Sequence, residues 1–281
     1  MWLSAAKVSL PRATTCTMTS DKKAECMEVA LAAAREASVM LVKLASSELE
    51  IQRKEDGSPV TNADMRAHEI ISRHLEPLGI PVVSEEGADT PFEERRIWDA
   101  CWLVDPLDGT SSYIRMRAGY AVNIALVQRN EKGDMVPILG VVALPDLDEL
   151  YFGSADDGAF RTAISEELNA VPMQRDLRIA APYNLLISWN EPATLGELIP
   201  GHIDPSEVRM KPISGARKFC LVAEGTADIH ARSRGYMEWD CAAGDAVLRA
   251  LGFYVRELVT GRPLVYNGPT LRVGGLIASR V

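Results

Sequence analysis

The segment Cys101-Trp102-Leu103-Val104-Asp105-Pro106-Leu107-Asp108-Gly109-Thr110 joins an apolar run to two aspartates three residues apart. The apolar run predicts a buried strand that ends at Asp105. Pro106 disfavours helix at the residue before it, so Asp105 stays extended. Gly109 permits a positive φ and a close approach of the backbone to an anion. The segment therefore predicts a sharp turn that directs both carboxylates and the Leu107 carbonyl at one point.

This turn is a candidate metal site. Mg²⁺ prefers oxygen ligands in proteins and usually also takes oxygens from a substrate phosphate. The backbone N–H groups of Gly109, Thr110 and Ser111 follow the second aspartate directly. We expect them to face the same point and to hold a phosphate there.

Two further acidic sites stand at the ends of predicted elements. Glu85-Glu86 closes the apolar segment 81–84, and Asp240 opens a helical segment that runs to Leu251. Like charges about 4 Å apart repel by about 4 kcal/mol at an effective dielectric near 20. Carboxylates that the fold brings together therefore need a cation or protons.

Each acidic residue also has a purely structural interpretation. Asp240 alone is typical of a helix cap. Asp64 lies three residues after Thr61, so this pair fits a capping box. Glu85-Glu86 alone is typical of a solvated loop. For the isolated turn, function and structure are equally good interpretations, and the joint pattern favours function.

The chain around these residues alternates between helical and strand patterns. The apolar spacing predicts helices over about 21–46, 62–75, 215–224 and 239–251, strands near 81–84, 101–104, 120–128, 136–144, 149–153, 177–180, 185–189, 227–230 and 253–257, and a hairpin turn at 55–59. The strands between 120 and 153 predict an antiparallel meander, and the later alternation predicts a layered α/β second half.

A polar segment over 154–176 predicts the boundary between two domains. We expect an N-terminal α+β domain over 21–160 that holds the main metal site, and a C-terminal α/β domain over 161–281 that contributes Asp240 and substrate contacts. Residues 1–20 contain two cations and no acid, as transit peptides do. We favour a disordered or non-native extension, with Met18 as the true start.

Composition narrows the function classes. The 281 residues carry a formal net charge of −9, which argues against broad nucleic-acid binding. No apolar run reaches the roughly 18 residues that a membrane span needs. The five cysteines form no Cys-x-x-Cys pair and are odd in number, which predicts a reducing, cytoplasmic compartment.

Taken together, the acidic motifs resemble those of the lithium-sensitive phosphatase family, which includes inositol monophosphatases and 3'(2'),5'-bisphosphate nucleotidases. The matching pieces are Asp64, Glu85-Glu86, Asp105-Pro106-Leu107-Asp108-Gly109-Thr110 and Trp239-Asp240-Cys241-Ala242-Ala243. They occur in the family's order with similar spacing. The resemblance covers about residues 25–275.

The resemblance implies a five-layer α/β/α/β/α sandwich and a magnesium-dependent phosphatase. It implies two or three Mg²⁺ ions held by Glu85, Asp105, Asp108, Asp240 and the Leu107 carbonyl. Thr110 and Asp64 would orient and deprotonate the attacking water, and the phosphate would rest on the N–H groups of Gly109, Thr110 and Ser111. Inhibition by lithium follows from the same resemblance, and a homodimer is left open.

Several stretches are more similar to the bacterial bisphosphate nucleotidase branch, which acts on 3'-phosphoadenosine 5'-phosphate in sulfur metabolism. They are Asp56–Thr61, Val122–Leu126, Lys218–Gly225 and Met237–Asp240. The chain departs from the branch at Ser111-Ser112-Tyr113, at Gly215-Ala216-Arg217 and at His230-Ala231-Arg232. Lys218 and Arg232 remain candidates for contacts to a second phosphate, and Arg217 adds charge there.

Three alternatives stay open at this stage. The first alternative keeps the chemistry and changes the substrate to inositol monophosphate or another small sugar phosphate. A haloacid-dehalogenase-type phosphatase would use a nucleophilic aspartate, but its two aspartates are two apart rather than three. A non-catalytic metal-binding regulatory protein would need neither Thr110 nor Asp64.

Overall fold

The computed structural model describes residues 18–46, 49–54, 57–166, 169–174 and 179–280. These residues form helices α1 (Ser20–Ala45), α2 (Asn62–Leu75), α3 (Phe92–Arg95), α4 (Thr110–Met116), α5 (Leu195–Leu198), α6 (Arg217–Ala223) and α7 (Glu238–Ala250). The strands are β1 (Ile51–Arg53), β2 (Pro59–Thr61), β3 (Val82–Ser84), β4 (Ala100–Asp108), β5 (Ala121–Arg129), β6 (Met135–Leu144), β7 (Glu149–Ser154), β8 (Gly158–Ala163), β9 (Val171–Pro172), β10 (Tyr183–Ile187), β11 (Val208–Pro212), β12 (Ile229–Arg232), β13 (Tyr254–Glu257) and β14 (Leu276–Ser279).

A seven-stranded sheet with the order β3-β4-β5-β6-β7-β8-β9 forms the first half of the described chain. Only β3 and β4 are parallel; every later neighbour is antiparallel. The predicted meander is therefore confirmed. It continues through two more strands, because β8 pairs with β7 along its whole length and β9 follows at the edge.

These two strands correct the prediction of a polar boundary over 154–176. Strand β8 buries Ala159 and Thr162 and exposes Arg161, so this polar segment contains a sheet strand rather than a linker. The predicted division between residues 160 and 161 falls inside β8, and the division into two domains stays a prediction.

A second sheet of five strands has the order β11-β10-β12-β14-β13. Strand β10 is parallel to β11 and β12, whereas β14 is antiparallel to β12 and β13. Strands β10, β12 and β13 match predicted ones within about two residues. The strand predicted near 177–180 is wrong where it can be checked, because residues 179 and 180 are not in a strand and 177 and 178 lie outside the described residues.

Three apolar cores order these elements into five layers. Helices α1 and α2 pack on the outer face of the seven-stranded sheet, and α6 and α7 fill the space between the two sheets. Helix α5 and its flanking residues cover the far face of the second sheet, where Leu198 packs with Leu185 and Ile229. The predicted α/β/α/β/α sandwich is confirmed.

The four long predicted helices begin and end within two residues of their predicted bounds. The hairpin around the turn at 55–59 is also present as β1 and β2, although Glu55 and Asp56 lie outside the described residues, as do residues 1–17. Among the described residues, no helix combines the length and apolarity that crossing a bilayer requires.

Glycine lets α7 approach its neighbours closely. A Cβ atom on Gly244 of α7 would lie 2.4 Å from Cγ of Phe219 on α6, and one on Gly140 of β6 would lie 2.4 Å from the Ala243 carbonyl oxygen. Both distances are far shorter than van der Waals contact, so a side chain at either position would force the helix away. Since α7 carries Asp240, this close packing also sets how near that carboxylate lies to the sheet.

We predict that Gly244→Ala destabilises the protein by about 1–3 kcal/mol, because the added methyl overpacks the buried contact with Phe219. Urea unfolding measures this loss. Gly196→Ala is the matched control, since a Cβ there meets nothing within 4 Å. Equal stability of the two variants would contradict the packing argument.

Candidate metal centre and active site

The two aspartates of the decisive segment share one face of the sheet because β4 contains a bulge. Asp105 pairs with Asn123, but Asp108 pairs with Ala121, so three steps along β4 match two steps along β5. Residues opposite each other in an antiparallel pair lie on the same face. Without the extra residue, side chains three apart would point to opposite faces.

The packing around the bulge agrees with this assignment. Ala121 belongs to the core between the sheets, whereas Leu107 belongs to the core under α1 and α2. The predicted sharp turn is thus a bulge within a strand. The predicted strand end at Asp105 is wrong, because β4 continues to Asp108.

Three carboxylates from three elements meet at this face. Glu85, Asp105 and Asp240 each offer an oxygen, and these oxygens all lie within 4.8 Å of one another. Glu85 follows β3 and its N–H donates to the Val104 carbonyl at 3.1 Å. Asp240 lies in the first turn of α7 and also accepts from the Met237 N–H at 3.0 Å, so it caps its helix and joins the cluster. A set of carboxylate oxygens is what a hard cation such as Mg²⁺ prefers.

Asp108 stands beside this trio and connects it to the second half of the chain. Its carboxylate accepts from the Ala216 N–H just before α6. Gly215 has φ +62°, and a Cβ there would lie 2.9 Å from Oδ2 of Asp108, so only glycine allows the approach. The Leu107 carbonyl oxygen, predicted as a metal ligand, lies 3.2 Å from the Thr110 hydroxyl oxygen.

Burial and the neighbouring carboxylates raise the pKa values of Asp105, Asp108 and Asp240. Burial is the main cause for Asp105, whose pKa is well above its usual range, and Glu85, Asp108 and Asp240 add to it. The pKa of Asp240 rises to about 8 through burial and then the charges of Asp108 and Glu85. Burial also raises the pKa of Asp108, and the Lys218 ammonium opposes that rise. The cluster therefore holds protons or a cation near neutral pH.

Lys54 is a part of the site that the sequence analysis missed. Its Nζ lies 2.7 Å from Oε1 of Glu85 and 2.7 Å from Oε1 of Glu86. It follows β1 and so brings the β1–β2 hairpin to the acidic cluster. The sequence could not predict this contact, because only the fold brings a lysine before the turn at 55–59 next to an acidic pair elsewhere in the chain.

Asp64 and Thr110 form the predicted pair. The Thr110 hydroxyl donates to Oδ1 of Asp64 at 2.8 Å, while the Thr61 N–H and hydroxyl donate to Oδ2 at 2.7 and 2.6 Å. The predicted capping box is thus present, and the same carboxylate also faces Thr110. Asp64 is buried, and burial raises its pKa despite the hydrogen bonds from Thr61 and Thr110.

The predicted phosphate cradle begins α4. Gly109 has φ 92° and immediately precedes the helix, and a Cβ there would come within 3.1 Å of the Gly119 carbonyl oxygen. The first N–H groups of a helix have no partner inside it. Thr110 and Ser111 supply two of these groups, and Ser111 is exposed.

The predicted cations lie at different depths. Lys218 is 1% exposed, and its Nζ donates to the carbonyls of Ile213 and Gly215 at 3.2 and 2.7 Å. Burial lowers its pKa to about 8. Its ammonium is therefore already bound beneath the site, and the predicted direct contact with a second phosphate is not supported for Lys218.

Arg232 and Arg217 lie nearer the surface. Arg232 is half-buried; it donates to the Ser188 hydroxyl at 2.9 Å and its guanidinium lies 4.4 Å from the centre of the Tyr236 ring. Arg217 is also half-buried, and its buried Nε has no hydrogen-bond partner among the described residues. Both arginines thus keep donor capacity for an anion.

Asn123 is a second residue that the sequence analysis missed. It lies opposite Asp105 in the sheet and is fully buried. Neither its amide nitrogen nor its oxygen completes a hydrogen bond with the described residues. A single asparagine inside the apolar run Tyr120–Val127 was the available signal.

Comparison with known proteins agrees with this geometry. The model of the "Inositol monophosphatase family" matches residues 22–280. A relative from Salmonella typhimurium, named 3'(2'),5'-bisphosphate nucleotidase CysQ, is 38% identical over 233 residues, covering 82% of this chain and 88% of the relative. The protein of the same name from Escherichia coli K12 is 39% identical over 234 residues, with the same coverage.

Solved structures give the same result for the fold. CysQ from Bacteroides thetaiotaomicron, described as a bacterial member of the inositol monophosphatase family, superposes with a TM-score of 0.73 at 30% identity, over 92% of this chain and 97% of that one. An inositol monophosphatase of Thermotoga maritima superposes with a TM-score of 0.69 at 19% identity, over 91% of this chain and 92% of that one, and so supports the fold alone.

The raised carboxyl pKa values predict how the metal-free protein responds to pH. Between the usual value of 3.8 and about 8, folded Asp240 holds a proton that the unfolded chain has lost. Stability from this group is therefore present at low pH and is lost as the pH rises through about 8. In EDTA, we expect Tm to fall from about pH 5 to about pH 8.

Saturating Mg²⁺ should abolish most of this slope, because a bound cation keeps the carboxylates ionised at every pH in the window. Asp240→Asn should reduce the slope in EDTA only in part, since Asp105, Asp108 and Glu238 also have raised pKa values. Thermal scans with and without Mg²⁺ measure both effects. Identical slopes in EDTA and in Mg²⁺ would contradict a cation site here.

Proposed function

Because the chain belongs to the inositol monophosphatase family and is a phosphomonoesterase, we propose that it is a Mg²⁺-dependent 3'(2'),5'-bisphosphate nucleotidase. In this proposal the substrate is 3'-phosphoadenosine 5'-phosphate, and the products are AMP and inorganic phosphate. The substrate rests on the relatives named 3'(2'),5'-bisphosphate nucleotidase, which are 38–39% identical over most of this chain.

One observation carries the catalytic part of the proposal. Strand β4 carries Asp105 into a cluster with Glu85 and Asp240, and its bulge turns Asp108 to the same face. Thr110, five positions after Asp105, donates to buried Asp64. The segment 105–110 therefore carries a cation ligand, Asp105, at its start and contacts a proton acceptor, Asp64, at its end. A protein that only bound metal would need the cation ligands but not the proton acceptor.

The oxygen donor set fits Mg²⁺, and we propose Glu85, Asp105, Asp108, Asp240 and the Leu107 carbonyl as the groups that hold two or three ions. When bound, Mg²⁺ lowers the pKa of a coordinated water and neutralises charge on the leaving oxygen. Inhibition by lithium, through competition for one cation position, is part of the same proposal.

The Asp64–Thr110 pair orients and deprotonates the attacking water. The Thr110 oxygen donates its own hydrogen to Asp64, so its lone pairs can accept one from a water on the substrate side. Asp64 then receives the Thr110 proton as Thr110 takes one from the water. The water oxygen bonds to phosphorus and the bond from phosphorus to the 3'-oxygen breaks. That oxygen takes a proton from solvent to give the 3'-hydroxyl, and Asp64 returns its proton to solvent.

The N–H groups of Gly109, Thr110 and Ser111 are proposed to hold the 3'-phosphate as it is attacked. Fixed donors at the start of α4 stabilise charge on the phosphoryl oxygens without rearrangement. The Ala216 N–H donates a hydrogen bond to Asp108, which ties the start of α6 to this segment.

Arg232 is proposed to bind the second phosphate, with Arg217 beside it. Its guanidinium is oriented by the Ser188 hydroxyl and by the Tyr236 ring, so little rotamer freedom is left to lose on binding. Lys218 supplies positive charge from beneath and orders the carbonyls of Ile213 and Gly215.

Inositol monophosphate is the second candidate substrate. The burial of Lys218 and the departures at Ser111–Tyr113 and Gly215–Arg217 favour it, because they change the groups around the phosphate. The family match does not support a haloacid-dehalogenase mechanism. A role in sulfur metabolism and a cytoplasmic location complete the proposal; the four described cysteines are free and buried, as in a reducing compartment.

Thr110→Val tests the proposed proton path. We expect kcat to fall on the order of 10²-fold or more, because the isosteric side chain cannot relay a proton to Asp64. Mg²⁺ affinity, measured by calorimetry, should stay close to that of the unmodified protein. Thr162→Val, on β8 away from the site, is the control; an equal loss of kcat there, or no loss in Thr110→Val, would contradict the assignment.

Phosphate release with Mg²⁺ tests the substrate, using 3'-phosphoadenosine 5'-phosphate, 3'-AMP and inositol 1-phosphate, with Asp105→Asn as the blank. We expect the bisphosphate to be hydrolysed best. Arg232→Gln should raise KM for the bisphosphate about 10–100-fold, because one charge-assisted hydrogen bond to the second phosphate is lost. KM for 3'-AMP, which has no second phosphate, should stay unchanged.

Arg209→Gln, an exposed arginine on β11, is the matched control for charge removal. Preference for inositol 1-phosphate would establish the second candidate. Mg²⁺ binding without hydrolysis of any of the three, or of a wider sugar-phosphate panel, would support the non-catalytic alternative.

A further inference from the structure

Asn123 is a buried polar residue within an apolar stretch of β5. From Ala121 to Val127 strand β5 is apolar except for Asn123, which is 0% exposed. Its inward-facing neighbours on the same strand are Ala121 and Ala125, which pack in the core between the sheets. Asparagine is disfavoured in strands, and an unpaired buried amide costs free energy.

The unpaired amide of Asn123 lies at the metal centre. Asn123 is paired with Asp105 in the sheet, so the two side chains lie side by side on the inner face. Its amide is also adjacent to the Asp108 carboxylate. The bulge therefore places Asn123 next to both aspartates of the decisive segment.

The amide is unsatisfied among the described residues at both ends. Neither Nδ2 nor Oδ1 completes a hydrogen bond with them, although a strand-facing amide offers two donor hydrogens and two acceptor lone pairs. Buried polar groups are almost always paired. The Asp108 carboxylate lies beside the amide nitrogen, so it is the amide oxygen that calls for a donor from outside the chain. Hydrated Mg²⁺ supplies such partners, since it keeps several of its waters.

We propose that Asn123 is a positioning residue of the metal centre, whose amide nitrogen orients the Asp108 carboxylate and whose amide oxygen accepts from a water that enters with the cation. The inference rests on the Mg²⁺ site of the proposed function. It goes beyond that function because Asn123 is neither a metal ligand nor a member of the Asp64–Thr110 pair.

Asn123→Leu tests the proposal, because leucine has a similar size and no polar atoms. In EDTA we expect its Tm to equal or exceed that of the unmodified protein, since an unpaired amide is removed from the core. Its Mg²⁺ affinity, measured by calorimetry without substrate, should be about 10–100-fold weaker, as for other residues that orient metal ligands. These opposite effects on stability and affinity would not arise from a packing role.

Val142→Ala is the matched control, since Val142 pairs with Asn123 from the other side on β6. We expect it to lower Tm and to leave Mg²⁺ affinity unchanged. Asn123→Asp adds a carboxylate to the cluster at constant size. It should lower Tm in EDTA and show a larger rise in Tm on Mg²⁺ addition than the unmodified protein, and it decides the matter if Asn123→Leu does not fold.

Unchanged Mg²⁺ affinity in Asn123→Leu, or a Mg²⁺-induced rise in Tm for Asn123→Asp no larger than that of the unmodified protein, would overturn the inference alone. Failure of the unmodified protein to bind Mg²⁺ would overturn both the inference and the proposed metal site. The two failures are therefore distinguishable in one set of titrations.

Discussion

Electrostatic repulsion among closely spaced, partly buried carboxylates is the constraint on which the centre of this structure depends. Ligand oxygens of Glu85, Asp105 and Asp240 lie within 4.8 Å of one another. Asp105 is buried and the other two are half-buried, so water screens the three charges only in part. Such a cluster is stable only with protons or a cation. The raised pKa values of Asp105 and Asp240 express this in the metal-free protein. Lys54 and Lys218 oppose part of the repulsion from two sides of the cluster.

The fold brings these charges together through three separate devices. A bulge rotates Asp108 onto the face of Asp105, parallel pairing places Glu85 beside Val104, and glycine packing holds α7 close to the sheet. Each device has a local cost. The bulge interrupts the hydrogen-bond ladder between β4 and β5, the pairing leaves β3 at the edge of the sheet, and Gly244 lowers the helix propensity of α7. Their agreement on one point in space is what distinguishes a built site from acidic residues scattered over a surface.

The same short segment links binding and chemistry. Asp105 and Asp108 belong to the cation cluster and its neighbourhood, while Thr110, at the start of α4, donates to Asp64 on α2. Because strand, bulge and helix follow one another within eleven residues, a shift of one would move the others. The second half of the chain is coupled to this segment through Ala216 and Asp108, so the arginines proposed to select the substrate are positioned relative to the metal centre.

The sequence by itself determined the residue types and the local structure. The capping box at Thr61 and Asp64, the four long helices and the meander follow from side-chain periodicity and hydrogen-bonding capacity over a few residues, which act before any long-range contact forms. The order of the acidic motifs was enough to indicate the family. It could not show that β4 continues to Asp108, because a bulge is defined by the partner strand.

Only the tertiary structure decided which groups are buried and which of them meet. Lys218 was expected at a phosphate and lies instead under the site with two carbonyls as partners, since its depth depends on α6 packing between the sheets. Lys54 and Asn123 reach the site through contacts with residues that are distant from them in the chain. Burial and proximity across the chain set desolvation and charge coupling, and these quantities have no counterpart in the linear sequence.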